Sequence, residues 1–101
     1  MLFMVIETFA PGRQEEIYRR VREEGRGFPD GLRYVGSWID ASFARCWQLM
    51  ESDDAATLVE WIAQAGDLCR FEVVPVVESA RVQEVMSRLA ARSVDGVSDV
   101  D

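Results

Sequence analysis

Two hydrophobic periodicities alternate along the chain. Leu2–Phe9 is an almost unbroken apolar, β-rich run that stops at Pro11-Gly12, and it predicts a first strand. Gln14–Glu24 is polar, with Ile17, Tyr18 and Val21 at helical spacing, and predicts a helix with a narrow apolar face. Gly25, Gly27 and Pro29-Asp30-Gly31 end that helix in a loop. Residues 32–39 and Arg45–Glu51 predict two more strands, and the link at 40–44 is short enough for a hairpin. Ser52 or Asp53 is expected to cap a second helix, with Leu58, Trp61, Ile62 and Ala65 as its buried stripe and Gly66 at its end. Residues 71–77 predict a fourth strand. Ser79 is placed to cap a third helix, in which Val82, Val85, Met86 and Leu89 recur at three- and four-residue steps. Residues 93–101 are expected to be disordered.

The order β-α-β-β-α-β is the ferredoxin-like arrangement, an α+β fold with a four-stranded antiparallel sheet. The expected organisation is a domain at 1–78, an additional amphipathic C-terminal helix at 79–92 and an acidic tail at 93–101. Pro75 fits the fourth strand, because proline cannot donate to a ladder and is tolerated at a sheet edge.

The strands themselves imply a partner. A ferredoxin-like sheet carries both helices on one face, so the other should alternate apolar with polar residues. Here the first strand reads Leu2, Phe3, Met4, Val5, Ile6, and the fourth reads Val73, Val74, Pro75, Val76, Val77. Runs of this kind belong where both faces lose water. A second copy of the chain, meeting the first across a two-fold axis, is the expected cover. The alternative is that the third helix folds back across its own sheet.

Composition narrows the partners further. With 18 acidic and 11 basic residues the formal charge is −7, which disfavours nucleic acid and anionic membrane. Arg13, Arg19, Arg20, Arg22 and Arg26 are interleaved with Glu15, Glu16, Glu23 and Glu24, the pattern of a solvated helix face. No stretch approaches the roughly 20 apolar residues that span a bilayer. The apolar run begins at Met1 with no basic leader, so a cytoplasmic location with Cys46 and Cys69 reduced is expected.

The candidate chemistry lies in the strands. Pairing Arg33 with Glu51 sets opposite charges across the hairpin. It also sets Ser37 opposite Trp47 and Trp38 opposite Cys46. In that register Tyr34, Trp38, Cys46, Gln48 and Met50 share one face. The Val35 and Leu49 face is then the helix-covered core, and the Tyr34 and Gln48 face looks into the space between subunits. A one-residue slip would reverse half of this assignment. Glu7 and Glu72 are carboxylates inside apolar strands, and a carboxylate removed from water needs a partner or takes up a proton near neutral pH. Together with Tyr34, Trp38 and Gln48 they would line an apolar site with a few polar groups. Either glutamate could serve as a general base toward an enolisable molecule. Equally, Glu7 could pair with an arginine or reach water at a strand end.

Other chemistries fall away. The chain has no histidine, so Ser-His-Asp and Cys-His arrangements and proximal-histidine haem ligation are excluded. Cys46 and Cys69 form no zinc motif. No glycine-rich phosphate loop follows a strand and opens a helix. No metal and no cofactor are expected. Cys46 reads as a small hydrophobe, and Trp47 and Trp61 as core or interface residues.

Gly31-Leu32-Arg33-Tyr34, Ser37-Trp38 and Cys46-Trp47-Gln48-Leu49-Met50-Glu51, with Met1–Glu7 and 71–76, resemble a bacterial family of uncharacterised domains. The resemblance covers residues 1–78 and implies a dimeric α+β barrel without an established activity. Ala65-Gly66 departs from it, since an aromatic residue is expected there. The wider superfamily of such barrels includes cofactor-independent monooxygenases, isomerases and haem enzymes, and fold alone does not choose among them. Two functions therefore stand at this point. One is a small-molecule site in the dimer, for binding or for cofactor-free catalysis. The other is a non-enzymatic interaction or regulatory module acting through the C-terminal helix.

Overall fold

The computed structural model describes residues 1–66 and 68–95. Its elements are β1 (Leu2–Phe9), α1 (Gln14–Glu24), β2 (Arg33–Ile39), β3 (Arg45–Glu51), α2 (Ala56–Ala65), β4 (Cys69–Val76) and α3 (Ser79–Asp95). The four strands form one antiparallel sheet in the order β2-β3-β1-β4. This is the ferredoxin-like topology with an extra C-terminal helix. β4 is an edge, where the missing N–H of Pro75 can be accommodated.

Alternation along β1 sorts the two faces. Phe3, Val5, Glu7 and Phe9 are buried, while Leu2, Met4 and Ile6 on the opposite side are only half-buried. The buried side joins Leu32, Met50, Leu58 and Trp61 in one core beneath the helices. Val5 and Met50 have no solvent exposure at all. Full burial of side chains of this kind contributes roughly 1.5–3 kcal/mol each, so the centre of β1 and β3 anchors the fold.

The hairpin is where expectation and structure part. Arg33 does pair with Glu51, and its Nε donates to Glu51 Oε1 at 2.9 Å. The register then shifts between Tyr34 and Gly36 through a bulge at Val35, so Ser37 faces Gln48, Trp38 faces Trp47 and Ile39 faces Cys46. A bulge sets two residues against one and flips every later side chain. Cys46, Gln48 and Met50 are buried and lie on the helix-covered face, and Trp47 and Leu49 lie on the outer one. The expected faces are thus reversed for β3 and Tyr34, while the bulge leaves Ser37 on the helix-covered side and Trp38 on the outer one.

The second helix also starts differently. Neither Ser52 nor Asp53 is its N-cap, which falls at Ala55 without a side-chain bond. Ser52 Oγ instead accepts from the Asp54 N–H at 3.0 Å and bonds the Thr57 hydroxyl at 2.9 Å, which fixes the turn that leads into α2. β4 begins two residues earlier than expected. α3 continues to Asp95, so residues 93–95, assigned to a disordered tail from sequence, are helical; residues 96–101 lie outside the described residues.

α3 does not cover its own sheet. Val82, Met86 and Leu89 are each about half-exposed, and so is Trp38 on the outer face. A helix of this length is about 25 Å long, and the chain measures 59 × 31 × 21 Å.

Candidate functional site

Glu7 is the one acidic residue on the buried side of β1, and its side chain keeps only 8% of its exposure. Cys46 of β3 and Phe71 of β4 flank it across the ladder. Gln48, also buried, donates from Nε2 to Glu7 Oε1 at 2.6 Å. Gln48 Oε1 in turn faces the guanidinium of Arg26 at 3.5 Å, a long contact at the limit of a hydrogen bond. Burial pushes the Glu7 carboxyl up to about 7, against the opposing pull of the Gln48 bond and the Arg26 charge. Desolvation penalises the ionised form more than one amide donor and one distant cation restore. At neutral pH the group therefore exists in both states.

The carboxyl opens onto a cavity of about 380 Å³ between the sheet and the two helices α1 and α2. Its sheet side carries Glu7, Ser37, Cys46 and Gln48. Trp61 and Phe71 form an aromatic wall, in edge contact at 6.0 Å between ring centroids. Arg20 and Arg26 line the helix side. The Arg26 segment is held in place by the indole of Trp61, whose Nε1 donates to the Arg26 carbonyl at 3.0 Å. Gly25 and Gly27 on either side adopt φ of +76° and +70°, conformations that glycine enters without a steric penalty. The chain can therefore turn sharply and aim Arg26 at the cavity. At the opposite end Phe43, at the hairpin tip with φ of +60°, stacks on Tyr18 with centroids 5.7 Å apart.

The two thiols of the cavity are held in their protonated form. Burial and the nearby Glu7 charge push Cys46 up to about 11 and Cys69 to about 12. The thiolate is the nucleophilic form, so this shift lowers its share at neutral pH. Among the described residues no cluster of ligating side chains is arranged to hold a metal ion.

The five residues nominated from sequence divide. Glu7 and Gln48 meet directly. Tyr34 shares their face at its rim, with its ring beneath the Arg26 guanidinium at 4.6 Å and its hydroxyl 2.6 Å from Ser37 Oγ. Trp38 and Glu72 do not join them. Trp38 pairs with Trp47 beyond the bulge, and Glu72 pairs with Ile6, so both project from the outer face. The cavity that holds Glu7 and Gln48 lies within one chain, beneath its helices. Arg26, Arg20 and Ser37 are the residues that sequence reading missed. Gly36 inside a strand was the available signal for the bulge that turns Ser37 inward.

A family model described as Domain of unknown function (DUF3303) matches residues 1–90. The chain belongs to the DUF3303 family. The DUF3303 match takes in most of α3, which the resemblance read from sequence left outside. One similar solved structure is the crystal structure of an uncharacterized NIPSNAP domain protein from Burkholderia xenovorans, at 16% identity and a TM-score of 0.49, covering 78% of this chain and 97% of that one. No curated protein matches. No helix among the described residues is long and apolar enough to cross a membrane.

Proposed function

We propose that this DUF3303 domain binds a small, largely apolar or aromatic molecule in the cavity beneath its helices, and that Glu7 exchanges a proton with it. One observation carries the reading: a carboxyl with a single direct hydrogen-bond donor, and no ion pair among the described residues, is buried where it faces open space. A purely structural carboxylate is normally neutralised by a close cation, whereas a group poised near pH 7 suits acid–base work. The aromatic wall supplies apolar contact, and the few polar groups would set orientation. In the proposed step Glu7 takes a proton from an acidic C–H bond, and the bonding electrons move to the adjoining carbonyl as an enolate. Returning the proton to the same or a neighbouring carbon gives exchange or isomerisation without a cofactor.

The domain is proposed to act as a homodimer. Leu2, Met4, Ile6, Trp47, Leu49, Val74 and Val76 form an outer sheet face that no described segment of the chain covers, and α3 presents a second apolar stripe. A second copy would hide both. The alternative use of α3, as a docking helix for another protein, is supported by the same half-exposed Val82, Met86 and Leu89.

The proton-transfer reading is tested with β-tetralone, a compact aromatic ketone with an acidic C–H bond, incubated in deuterium oxide. Wild-type protein should speed deuterium uptake at that carbon, and Glu7→Gln should abolish the acceleration while the ketone still binds. Uptake at the uncatalysed rate with the cavity occupied would remove Glu7 as a proton acceptor. No occupancy of the cavity would remove the site.

A further inference from the structure

We propose that the cavity selects an organic anion, with a planar carboxylate of the ligand seated on Arg26 and its aromatic body against Trp61 and Phe71. This rests on the ligand cavity described above and names the class of molecule it takes.

A guanidinium offers five N–H groups in a rigid fork that matches a carboxylate in a bidentate fashion. Arg26 uses one of them, in the long contact to Gln48, and forms no ion pair among the described residues. The other arginines of the hairpin and first helix for which partners are seen are engaged: Arg33 with Glu51, Arg45 with Asp40, and Arg20 with Glu16, the last at 4.0 Å. Arg26 is thus a cation with spare donors, on a chain of net charge −7 where carboxylates are abundant.

Arg26 is exposed, and two contacts orient it toward the cavity. Trp61 holds its backbone carbonyl, and the Tyr34 ring supports the guanidinium by a cation–π contact at 4.6 Å. Phe28 stacks behind Tyr34 at 6.1 Å, which ties the same ring to the core. A donor fork held this way loses little freedom on binding. Arg20 and Glu24 line the same cavity with opposite charges, and Arg20 is already paired with Glu16 at 4.0 Å, which leaves Arg26 as the cation with spare donors.

The arrangement also connects the anion to Glu7. The Arg26 charge favours the ionised form of that carboxyl. A carboxylate bound to Arg26 weakens that support and raises the Glu7 midpoint, so the fraction still ionised is the proton acceptor, and by linkage the anion binds more tightly at lower pH. The polar and titratable groups lining the cavity with Glu7 are Gln48, Cys46 and Ser37 from the hairpin, Cys69 on β4, Arg26 in the loop after α1, Tyr18, Arg20 and Glu24 on α1 and Gln64 on α2, and of these Arg26 is the cation whose charge acts on the carboxyl.

The test uses cinnamate and its uncharged isostere cinnamamide, titrated into the full chain and followed by amide NMR. Cinnamate should shift the signals of Glu7, Gln48 and Trp61 and bind at least about tenfold more tightly than cinnamamide. Arg26→Gln should abolish that preference, read as the ratio of the two affinities within each protein, and Arg26→Lys should restore part of it. Carbon NMR of the Glu7 carboxyl should show its midpoint rising when cinnamate is bound. Equal binding of the two probes, or a preference that survives Arg26→Gln, overturns the anion selection while leaving the cavity as a ligand site. Failure of both probes to reach the cavity overturns this inference together with the reading on which it rests.

Discussion

Replacing Glu7 with glutamine isolates the energetic consequence of burying this carboxyl. In the folded chain the group binds its proton more tightly than in the unfolded one, about 7 against 4.5. Its contribution to stability is therefore fully present below pH 4.5, falls as pH rises through about 7, and is gone above that. At about 1.4 kcal/mol per pH unit, the difference amounts to about 3 kcal/mol, of which about 2.5 kcal/mol falls between pH 5 and pH 8. Glutamine has the size of the protonated side chain and can still accept from Gln48, but it never ionises. Glu7→Gln should thus match the wild type in urea unfolding at pH 5 within about 1 kcal/mol and exceed it at pH 8 by about 2–3 kcal/mol. For a domain of this size such a gap corresponds to a midpoint difference of roughly 10 °C or more in thermal melts. The absence of histidine keeps the window clear of imidazole titration. The lowered carboxyls of Asp40 and Glu51 act in a more acidic range and cancel in the comparison. A wild type and variant that differ equally at both pH values would refute the reasoning, because the Glu7 charge would then have ready access to water or a cation.

Three further outcomes follow from the same geometry. Iodoacetamide at pH 7.5 should modify Cys46 and Cys69 at least about a hundredfold more slowly than a free thiol, because so little thiolate is present; urea should restore the ordinary rate, as read by mass spectrometry. Gly27→Ala should cost about 1 kcal/mol or more in urea unfolding, since φ is +70° and the added methyl would sit 2.9 Å from Gln64 Oε1, whereas Gly36→Ala, with its nearest contact at 3.6 Å, should cost little. Trp38→Arg on the outer face should yield a folded monomer in sedimentation at micromolar concentration if that face is a dimer interface, while a wild type that is itself monomeric would remove the homodimer.

Sequence carried the fold further than the site. Continuous apolar strands, helical stripes at Leu58 and Trp61, and turns marked by glycine and proline all act locally, so the element order was legible. The site depended on which side of β3 the helices cover and on one backbone event. One extra residue at Val35 puts Ser37, and not Trp38, beside Gln48, and periodicity alone cannot locate a bulge except through a clue such as Gly36. Glu7 could be singled out because a carboxylate among Phe3, Val5 and Phe9 is costly wherever it points. Glu72 looked equivalent, yet β4 is an edge and the side chain projects away from the core. Arg26 gave no sequence signal beyond two flanking glycines, since its role arises from a loop folded against Trp61 and Tyr34.

Fragment mapping by amide NMR addresses the central claim most directly, because the two faces of the sheet report on separate residues. A mixture of small aromatic acids and ketones should move the signals of Glu7, Cys46, Gln48 and Cys69 beneath the helices. Shifts confined to Met4, Trp47, Leu49 and Val74 on the outer face would contradict it.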